Sequence, residues 1–565
     1  MTRIQFRVLY REFLFRVVDL EVLAPDGDMS KLLGQFAGLL IFCSLWLTPI
    51  AGLASTADQR NRLLGMMLMW TAQHFLIATT MLAVGLFAVM SWESTFPDRR
   101  DVLVLSPLPI RARTLLFAKL AAVATALSIT VSTLNSLTGL LLPFGFASRG
   151  GAMHVVRAFG AYWITQFAAG LFIFCLVLAV QGLAQLLPRQ AFLRISSWLQ
   201  TGFFVLMVTV YFLQPPFTEL QDLLANARAL RWVPSYWFFG LFQQLNGLAL
   251  PQLAFLAHRA WAGLSIATGG AAAAYLICYL RTLRRIAEQP DILPRRRGLH
   301  WLPPFGDSLQ TAVAHFSVRT LLRSRSHRVM LTFYLGIGLG LALYISHTPE
   351  VYERASSFGD WYRLNAPLLM ASAPTMCAAI VGTRVVFSMP LDARANWIFR
   401  MMPGADITRC LAASRRLLYA LSLAPAWLAC AALFFWLWPW RIAAEHLAVL
   451  AALGTFVAEL SLFHFHKIPF TCSYLPGKTR FNMALVYLAL FLFVTQWAAD
   501  REMAALGDSA LFAITLGVVV TSAALARWRT SAAGHSENGQ VHFDETPDPA
   551  VITLDLHQDG VTTMQ

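Results

Sequence analysis

The chain alternates between long apolar stretches and short charged connections. A helix that crosses a bilayer needs roughly 20 consecutive, mostly apolar residues. Twelve stretches approach or exceed that length: Leu32–Leu53, Leu64–Val89, Leu115–Leu141, Gly160–Leu183, Trp198–Leu213, Leu256–Leu280, Val329–Ile345, Leu368–Phe387, Leu417–Trp438, Leu447–Phe463, Met483–Trp497 and Ala510–Ala526. The pattern predicts an all-α polytopic membrane protein with about twelve transmembrane helices.

The composition agrees with this prediction. Hydrophobic residues make up 57% of the chain and charged residues only 13%, whereas a soluble domain carries about 25% charged residues. The net charge of +14 does not indicate a nucleic-acid partner, because Arg and Lys cluster in the connections between spans, as membrane topology demands. The seven cysteines are dispersed without a C-x-x-C pair and predict neither disulfides nor a metal site.

The basic connections predict the orientation in the membrane. The N-terminal segment, the loop after the second span, the central linker and the loop around Lys467–Arg480 are basic and fall on one side, which is expected to be the cytoplasm. Both termini are then cytoplasmic, and the membrane is expected to be the cytoplasmic membrane of a bacterium. Residues 531–565 carry six acidic residues and no Lys or Arg, which is typical of a disordered cytosolic tail.

Residues 3–22 have the spacing of an amphipathic helix. One apolar stripe is formed by Phe6, Leu9, Tyr10, Phe13, Val17 and Leu20. Arg3, Arg7 and Arg11 stack on another face. Such a helix directly before a span indicates an element lying in the membrane interface. The alternative is an ordinary surface helix of a soluble domain.

The second half of the chain repeats this order of features. Before its first span, Arg319, Arg323 and His327 again stand at i, i+4 and i+8. The loops after the second span of each half align without gaps: Asp98 pairs with Asp392, Arg100 with Arg394, Leu105 with Phe399, Leu108 with Met402 and Pro109 with Pro403. Because repeats are a common way to build a transport path, the sequence predicts two six-span units, 1–290 and 291–530, followed by the tail.

The repeated loop is too apolar for a flexible linker and too charged to enter the bilayer. Its apolar run 102–105 needs a surface to pack against, and Pro107 and Pro109 end a short helix and turn the chain. A short helix of this kind beside the membrane indicates a docking element for a protein on the cytoplasmic face. The alternative is an interfacial helix that rests on lipid headgroups.

At these residues the chain resembles a known family. A basic helix, two spans and a loop of the form D-R-R-D…L-x-x-L-P-I-x-x-x…A-K before the third span look like the permeases of ABC transporters, in the exporter class with six spans per unit. The resemblance implies that the loops dock a separate ATPase. The docking residues would be Asp98, Arg100, Leu105, Leu108, Pro109 and Arg111 in the first half, and Asp392, Arg394, Phe399, Met402 and Pro403 in the second. The second half departs from the pattern at Gly404, in place of Ile110, and at Ala413, in place of Lys119.

The family resemblance has two further implications. Such permeases often carry a re-entrant element between the fifth and sixth spans. The first half has a long aromatic segment there, around Trp232–Gly247, whose composition suits a membrane-interface belt. The chain has no G-x-x-x-x-G-K-[ST] loop, since Gly477-Lys478-Thr479 is only a fragment of one. ATP would therefore be used by the partner, and this chain would bind no cofactor and would not itself be an enzyme.

Few ionisable residues fall inside the predicted spans, and the main ones are His74, Arg384 and Glu459. Charges in a bilayer are costly, so such residues are candidates for function. Arg384 is near a helix end and is expected to reach the headgroups, and Glu459 is expected to pair with His466 and Lys467. So few charges argue against the main competing function, a twelve-span secondary carrier. A membrane-embedded enzyme, for which no convincing nucleophile–base pair is visible, and a scaffold also compete with the permease. The sequence does not predict the transported substrate.

Overall fold

The computed structural model describes residues 3–18, 62–95, 110–147, 152–214, 227–247, 251–288, 304–347, 360–389, 407–463 and 508–536, with parts of 37–49 and 465–505 and two short strands near the C-terminus. The described chain is helical apart from these strands. Contacts divide it into two compact units. The first is mainly Met1–Arg297 and includes Leu339–His347, and the second is mainly Gly298–Gly338 and Thr348–Leu475 with the C-terminal helix.

The described part of the first unit is built from ten helices that have well-defined bounds. They are α1 Arg3–Val18, α2 Arg62–Met90, α3 Trp92–Thr95, α4 Ala112–Leu134, α5 Thr138–Ala147, α6 Ala152–Gln185, α7 Arg189–Leu213, α8 Ala227–Trp232, α9 Pro234–Asn246 and α10 Pro251–Glu288. A short apolar helix also covers Leu40–Pro49.

The remaining helices follow in chain order. They are α11 Ser308–Arg323, α12 Arg325–His347, α13 Asp360–Ser388, α14 Ile407–Leu418, α15 Ala424–Leu437, α16 Trp440–Leu462 and α17 Ser509–Ser536, with a π-helical turn Tyr419–Leu423 joining α14 to α15. Near the C-terminus, β1 Thr553–Leu554 pairs antiparallel with β2 Val561–Thr562. This hairpin, and the extension of α17 to Ser536, stand in the segment predicted to be a disordered tail.

Ten helical segments in the described part of the chain are long and apolar enough to cross a membrane. They are α2, α4, α6, α7, α10, α12, α13, α14 with α15, α16 and α17. Each coincides with a predicted span, so the chain is an integral membrane protein. Of the other two predicted spans, the first overlaps the short helix Leu40–Pro49, and Met483–Trp497 lies outside the described residues.

The third predicted span is shorter than the sequence indicated. Its helix α4 ends at Leu134 because Asn135 leaves the helical conformation. The Asn135 side-chain amide donates to the carbonyl oxygen of Val131 at 3.0 Å, which caps the helix end. A new helix, α5, then begins at Thr138.

The N-terminal helix α1 is amphipathic, as predicted. Leu9, Phe13 and Val17 are buried, and the helix packs along α4. The Lys119 ammonium of α4 lies 5.3 Å from the centroid of the Phe13 ring, a cation–π distance. Tyr10 donates its hydroxyl to Thr125 at 3.0 Å. These contacts fix α1 against the beginning of the third predicted span.

In the second unit, α11 packs along α14 in the same way. The Asp307 carboxylate caps α11 by accepting a hydrogen bond from the Gln310 backbone N–H at 2.8 Å. The buried contact joins Val313 of α11 to Cys410 and Ala413 of α14 and to Ile468. The amphipathic helix of each half therefore packs on the helix that follows the repeated loop.

The predicted stack of Arg319, Arg323 and His327 on one helix is wrong. Helix α11 ends at Arg323, because Ser324 is extended and its N–H donates to the Thr320 carbonyl. His327 belongs to α12, where it is buried, its Nε2 lies 3.1 Å from the Met389 carbonyl oxygen and its ring meets Phe470 edge-on.

Replacing Phe13 with alanine is expected to loosen α1 from α4. The substitution removes the ring under Lys119 and leaves a cavity, which costs about 3 kcal/mol for a buried Phe. The midpoint of thermal unfolding in mild detergent should fall clearly. The control is Ile4→Ala on the same helix, where the side chain is 77% exposed and little change is expected. Equal shifts for the two variants would contradict the packing described.

Candidate functional site

Most of the predicted docking residues lie outside the described residues. These are Asp98, Arg100, Leu105, Leu108, Pro109, Asp392, Arg394, Phe399, Met402 and Pro403. Arg111 is described: it is exposed and is the N-cap of α4. The assignment of these loops as docking elements stays a prediction, and the described chain offers three other places where polar groups converge.

The first place surrounds His74 of α2, which is buried. Its Nε2 lies 3.0 Å from the Ser235 hydroxyl, and Ser235 in turn donates to Gln214 Oε1 at 2.7 Å. Since a serine has only one O–H to donate, His74 must carry a proton on Nε2 and donate it to Ser235. The imidazole also stacks on Tyr236, with 4.2 Å between ring centroids.

The helix that holds these partners, α9, is buried inside the first unit. Its aromatic residues Tyr236, Phe238, Phe239 and Phe242 have no exposed surface, so the prediction of an interface belt is wrong for α9. Gly240 permits the close approach, since a Cβ there would lie 2.6 Å from the Leu256 Cβ of α10. Trp232, just before α9, is 82% exposed and fits the predicted interface position, and Trp237 of α9 is half-buried.

An apolar cleft of about 150 Å³ lies beside this chain of hydrogen bonds. Helices α2, α6, α7 and the start of α9 form it. The lining residues are Ala78, Met81, Leu82, Ile173, Leu176, Phe203, Leu206, Met207, Val210, Tyr211, Gln214, Val233, Pro234 and Ser235. Its walls are hydrocarbon, and its polar groups are those of Tyr211, Gln214 and Ser235, which connect it to His74.

The second place is in the second unit, around Glu459 of α16, whose side chain is fully buried. Arg415 Nε lies 2.7 Å from its Oε1, Tyr419 donates to the same oxygen at 2.7 Å, and Thr530 donates to Oε2 at 3.1 Å. The expected partners His466 and Lys467 lie outside the described residues. The carboxylate instead finds its cation on a separate helix, α14.

Arg384 of α13 is half-buried and bonds to groups of the protein. Its Nε donates to the Ser461 carbonyl oxygen at 2.8 Å, and its guanidinium stacks on Phe465 at 4.3 Å from the ring centroid. It also donates to Ser388 one turn along α13. Ser461 belongs to the last turn of α16, where the unpaired carbonyl groups and the helix dipole favour a cation. The residue therefore fastens α13 to the end of α16.

Sequence reasoning missed a third cluster, formed by Ser372, His446 and Glu502. All three side chains are buried. His446 Nε2 lies 3.0 Å from Ser372 Oγ, and His446 Nδ1 lies 2.6 Å from Glu502 Oε1. Phe434 and Trp438 meet the imidazole edge-on, at 4.8 and 5.5 Å between centroids. The available signal was His446 itself, but the span was predicted to begin at Leu447, whereas α16 begins at Trp440.

The order hydroxyl, imidazole, carboxylate is that of a nucleophile with its base, but the hydrogen bonds run the other way. Ser372 donates its hydroxyl to the Leu369 carbonyl oxygen at 2.7 Å. His446 Nε2 must therefore donate to Ser372, and Nδ1 and Glu502 share the next proton. In this arrangement the Ser372 hydroxyl points to a backbone carbonyl oxygen, and the imidazole and the carboxylate lie within hydrogen-bond distance of each other.

No protein-family model, curated protein or solved structure matches this chain. Within the described residues, His, Cys, Asp and Glu side chains form no group that could hold a metal ion.

Replacing Arg415 with alanine is expected to destabilise the second unit strongly. The substitution leaves the Glu459 carboxylate buried without a cation. Removing one partner of a buried ion pair lowers the free energy of unfolding by about 3–5 kcal/mol. A second substitution, Glu459→Gln, should recover much of the loss because it removes the stranded charge.

Equilibrium unfolding in mixed detergent micelles measures both effects. The control is Arg441→Ala, which breaks the exposed pair with Glu445 one turn apart on α16, a type of pair that contributes about 0.3–0.5 kcal/mol. A loss at Arg415 no larger than the loss at Arg441 would show that Glu459 does not depend on its cation.

Proposed function

We propose that this chain is the membrane-spanning permease subunit of an ATP-driven exporter of the ABC type. The proposal rests on the repeated D-x-R…P loops and the resemblance they carry. A separate cytoplasmic ATPase docks on these loops and hydrolyses ATP, and this chain spans the membrane and binds no nucleotide. Two six-span units, with twelve spans and both termini in the cytoplasm of a bacterium, complete the proposed arrangement.

One structural observation supports the proposal most. The loop residues of the two halves correspond at a constant offset, and the same offset pairs Lys119 with Ala413. Lys119 of α4 lies over Phe13 of α1, and Ala413 of α14 packs against Val313 of α11. Equivalent positions in the two halves thus contact the amphipathic helix of their own half, which favours a duplication.

This packing suits a coupling role for the loops. Each loop leads directly into a helix, α4 or α14, against which an amphipathic helix is fixed. A force applied to the loop by a docked ATPase would move the span and its amphipathic helix together, because packed helices transmit displacement as rigid bodies. A flexible connection between the loop and the span would not transmit this displacement.

The second candidate function is a proton-coupled secondary carrier. The cluster of Ser372, His446 and Glu502 favours it, because a buried imidazole–carboxylate pair that shares a proton is the kind of group from which membrane proton relays are made. The sequence alone offered no such relay. The ABC permease keeps first place because it also accounts for the repeated loops.

The docking proposal is tested by purifying the chain from its native membranes in mild detergent and measuring vanadate-sensitive ATP hydrolysis. We expect ATPase activity to copurify with the unaltered chain. The triple variant Asp98→Ala, Arg100→Ala, Leu105→Ala should lose most of it, because the loop can no longer seat.

The matched control is Asp58→Ala, Arg60→Ala, Leu63→Ala, which changes similar residue types between the first predicted span and the first turn of α2, on the predicted opposite side of the membrane. This control should keep the activity. No copurifying ATPase, or equal loss in both triple variants, would overturn the docking proposal.

The carrier candidate predicts proton movement by the chain alone. Proteoliposomes that contain only this chain and an internal pH-sensitive dye would acidify under an imposed proton gradient, and Glu502→Gln would abolish this flux because the amide cannot exchange the shared proton. Glu445→Gln, at the solvent-facing pair of α16, is the control. Absence of flux through the unaltered chain would remove the support that Ser372, His446 and Glu502 give to the carrier candidate.

A further inference from the structure

We propose that the cleft of the first unit binds the hydrocarbon chain of a neutral amphiphile, whose uncharged headgroup meets Tyr211, Gln214 and Ser235. This inference rests on the proposed transport function and names the class of substrate that such an exporter would carry.

The walls of the cleft suit a hydrocarbon chain. Met81, Ile173, Phe203 and Met207 line it from three different helices, so an occupant is gripped from several sides. The helices around the cleft are otherwise closely packed against one another. For example, a Cβ atom at Gly85 would lie 2.4 Å from the Sδ atom of Met207. If a recess of about 150 Å³ in such a tightly packed bundle is empty, the side chains that line it lose dispersion contacts. In a bilayer, the acyl chain of a lipid is available to fill it.

The cleft also offers an entrance from the membrane. Leu206 of α7 lines it and is 55% exposed, and α7 is among the helices able to cross the bilayer. A lipid-facing lip on a transmembrane helix lets an amphiphile enter sideways from the bilayer, without first passing through water.

The polar groups at the cleft have defined hydrogen-bonding capacity. Gln214 donates one amide N–H to the Tyr211 carbonyl oxygen at 2.8 Å and has a second N–H to offer. Thr79 donates to the Phe75 carbonyl oxygen at 2.8 Å, so the Tyr211 hydroxyl, 2.9 Å from Thr79 Oγ1, is the donor of that pair. The Tyr211 hydroxyl oxygen therefore keeps lone pairs that can accept a hydrogen bond. One donor beside one acceptor matches a hydroxyl, ester or amide.

Charge complementarity excludes an ionic headgroup. None of the described residues that line the cleft is Asp, Glu, Lys, Arg or His. His74 stands behind Ser235 and already donates its Nε2 proton to it. A phosphate or an ammonium group placed here would lose its hydration without gaining a counter-ion, which is strongly unfavourable. The geometry therefore fits a monoacylglycerol-like molecule and disfavours its phosphorylated counterpart.

The test uses the purified full chain in proteoliposomes with a monoacylglycerol that carries a photoreactive diazirine in its acyl chain. We expect light to attach the probe to residues of α2 and α7 at the cleft. Unlabelled monoacylglycerol should compete at least tenfold better than lysophosphatidate of the same chain length. Equal competition by the two lipids would overturn the proposed headgroup class.

Two matched variants locate the probe. Leu206→Trp fills the lip of the cleft and should reduce labelling at least fivefold. Leu213→Trp, on the same helix, 47% exposed and outside the lining, should leave labelling unchanged. Both positions face outward, so neither substitution threatens the fold. Labelling that survives Leu206→Trp, or that falls equally in both variants, would overturn the site.

A third variant tests the polar end. Gln214→Leu should reduce the advantage of monoacylglycerol over an n-alkane of the same chain length as a competitor, because the headgroup donor is gone, and it should leave lysophosphatidate disfavoured, because no counter-ion is gained. Binding is measured without any ATPase, so its failure is distinguishable from failure of the transport proposal. Labelling of the cleft without a copurifying ATPase would overturn the ABC proposal and support the binding site. A copurifying ATPase without labelling of the cleft would support the permease proposal and overturn the binding site.

Discussion

A carboxylate inside an apolar helical bundle must be neutralised where it stands, and the packing of the second unit follows from how Glu459 meets that constraint. Its oxygens receive Arg415 from α14, Tyr419 from the π-helical turn and Thr530 from α17. The π turn has a local cause: Pro425 follows it, lacks an N–H and would clash with the carbonyl four residues earlier in a regular helix. The extra residue of the turn relieves that clash. Arg415 and Tyr419 lie on one face because they are four residues apart, at the end of α14 and the start of the turn.

The first unit solves the problem of buried polarity differently. Its described interior contains no buried Asp or Glu. Neutral groups bond one another instead: Tyr162 donates to Asn135 Oδ1 at 2.8 Å, and the Asn135 amide donates to Thr80 at 3.0 Å. If the halves arose by duplication, the described interior of one half holds buried carboxylates and that of the other holds none, although it does bury the Lys119 ammonium against Phe13. The described lining of the cleft is uncharged, which suits the proposed uncharged amphiphile.

Periodicity and composition predicted what depends on local sequence: ten spans and the buried stripe of α1, including Phe13. They failed where partners are distant in the chain. Ser372 and Glu502 are 74 and 56 residues from His446 in the sequence. The predicted span began at Leu447, so His446 was not considered as a residue inside the membrane. The cleft could not be predicted at all, because four helices each contribute a few ordinary apolar residues, and only tertiary packing leaves space between them.

Helix α16 limits how the protein can move. It holds His446 near one end and Glu459 near the other, about 20 Å apart at 1.5 Å per residue. Each residue bonds to partners on other segments of the second unit. Sliding α16 past its neighbours would separate buried charges at both ends together, which costs several kcal/mol at each. The helices that hold these partners therefore have to move with α16 as one body. In the first unit, neutral hydrogen bonds and an open cleft permit smaller, separate rearrangements. On the proposed transport function, the changes that admit and release a substrate are therefore expected there.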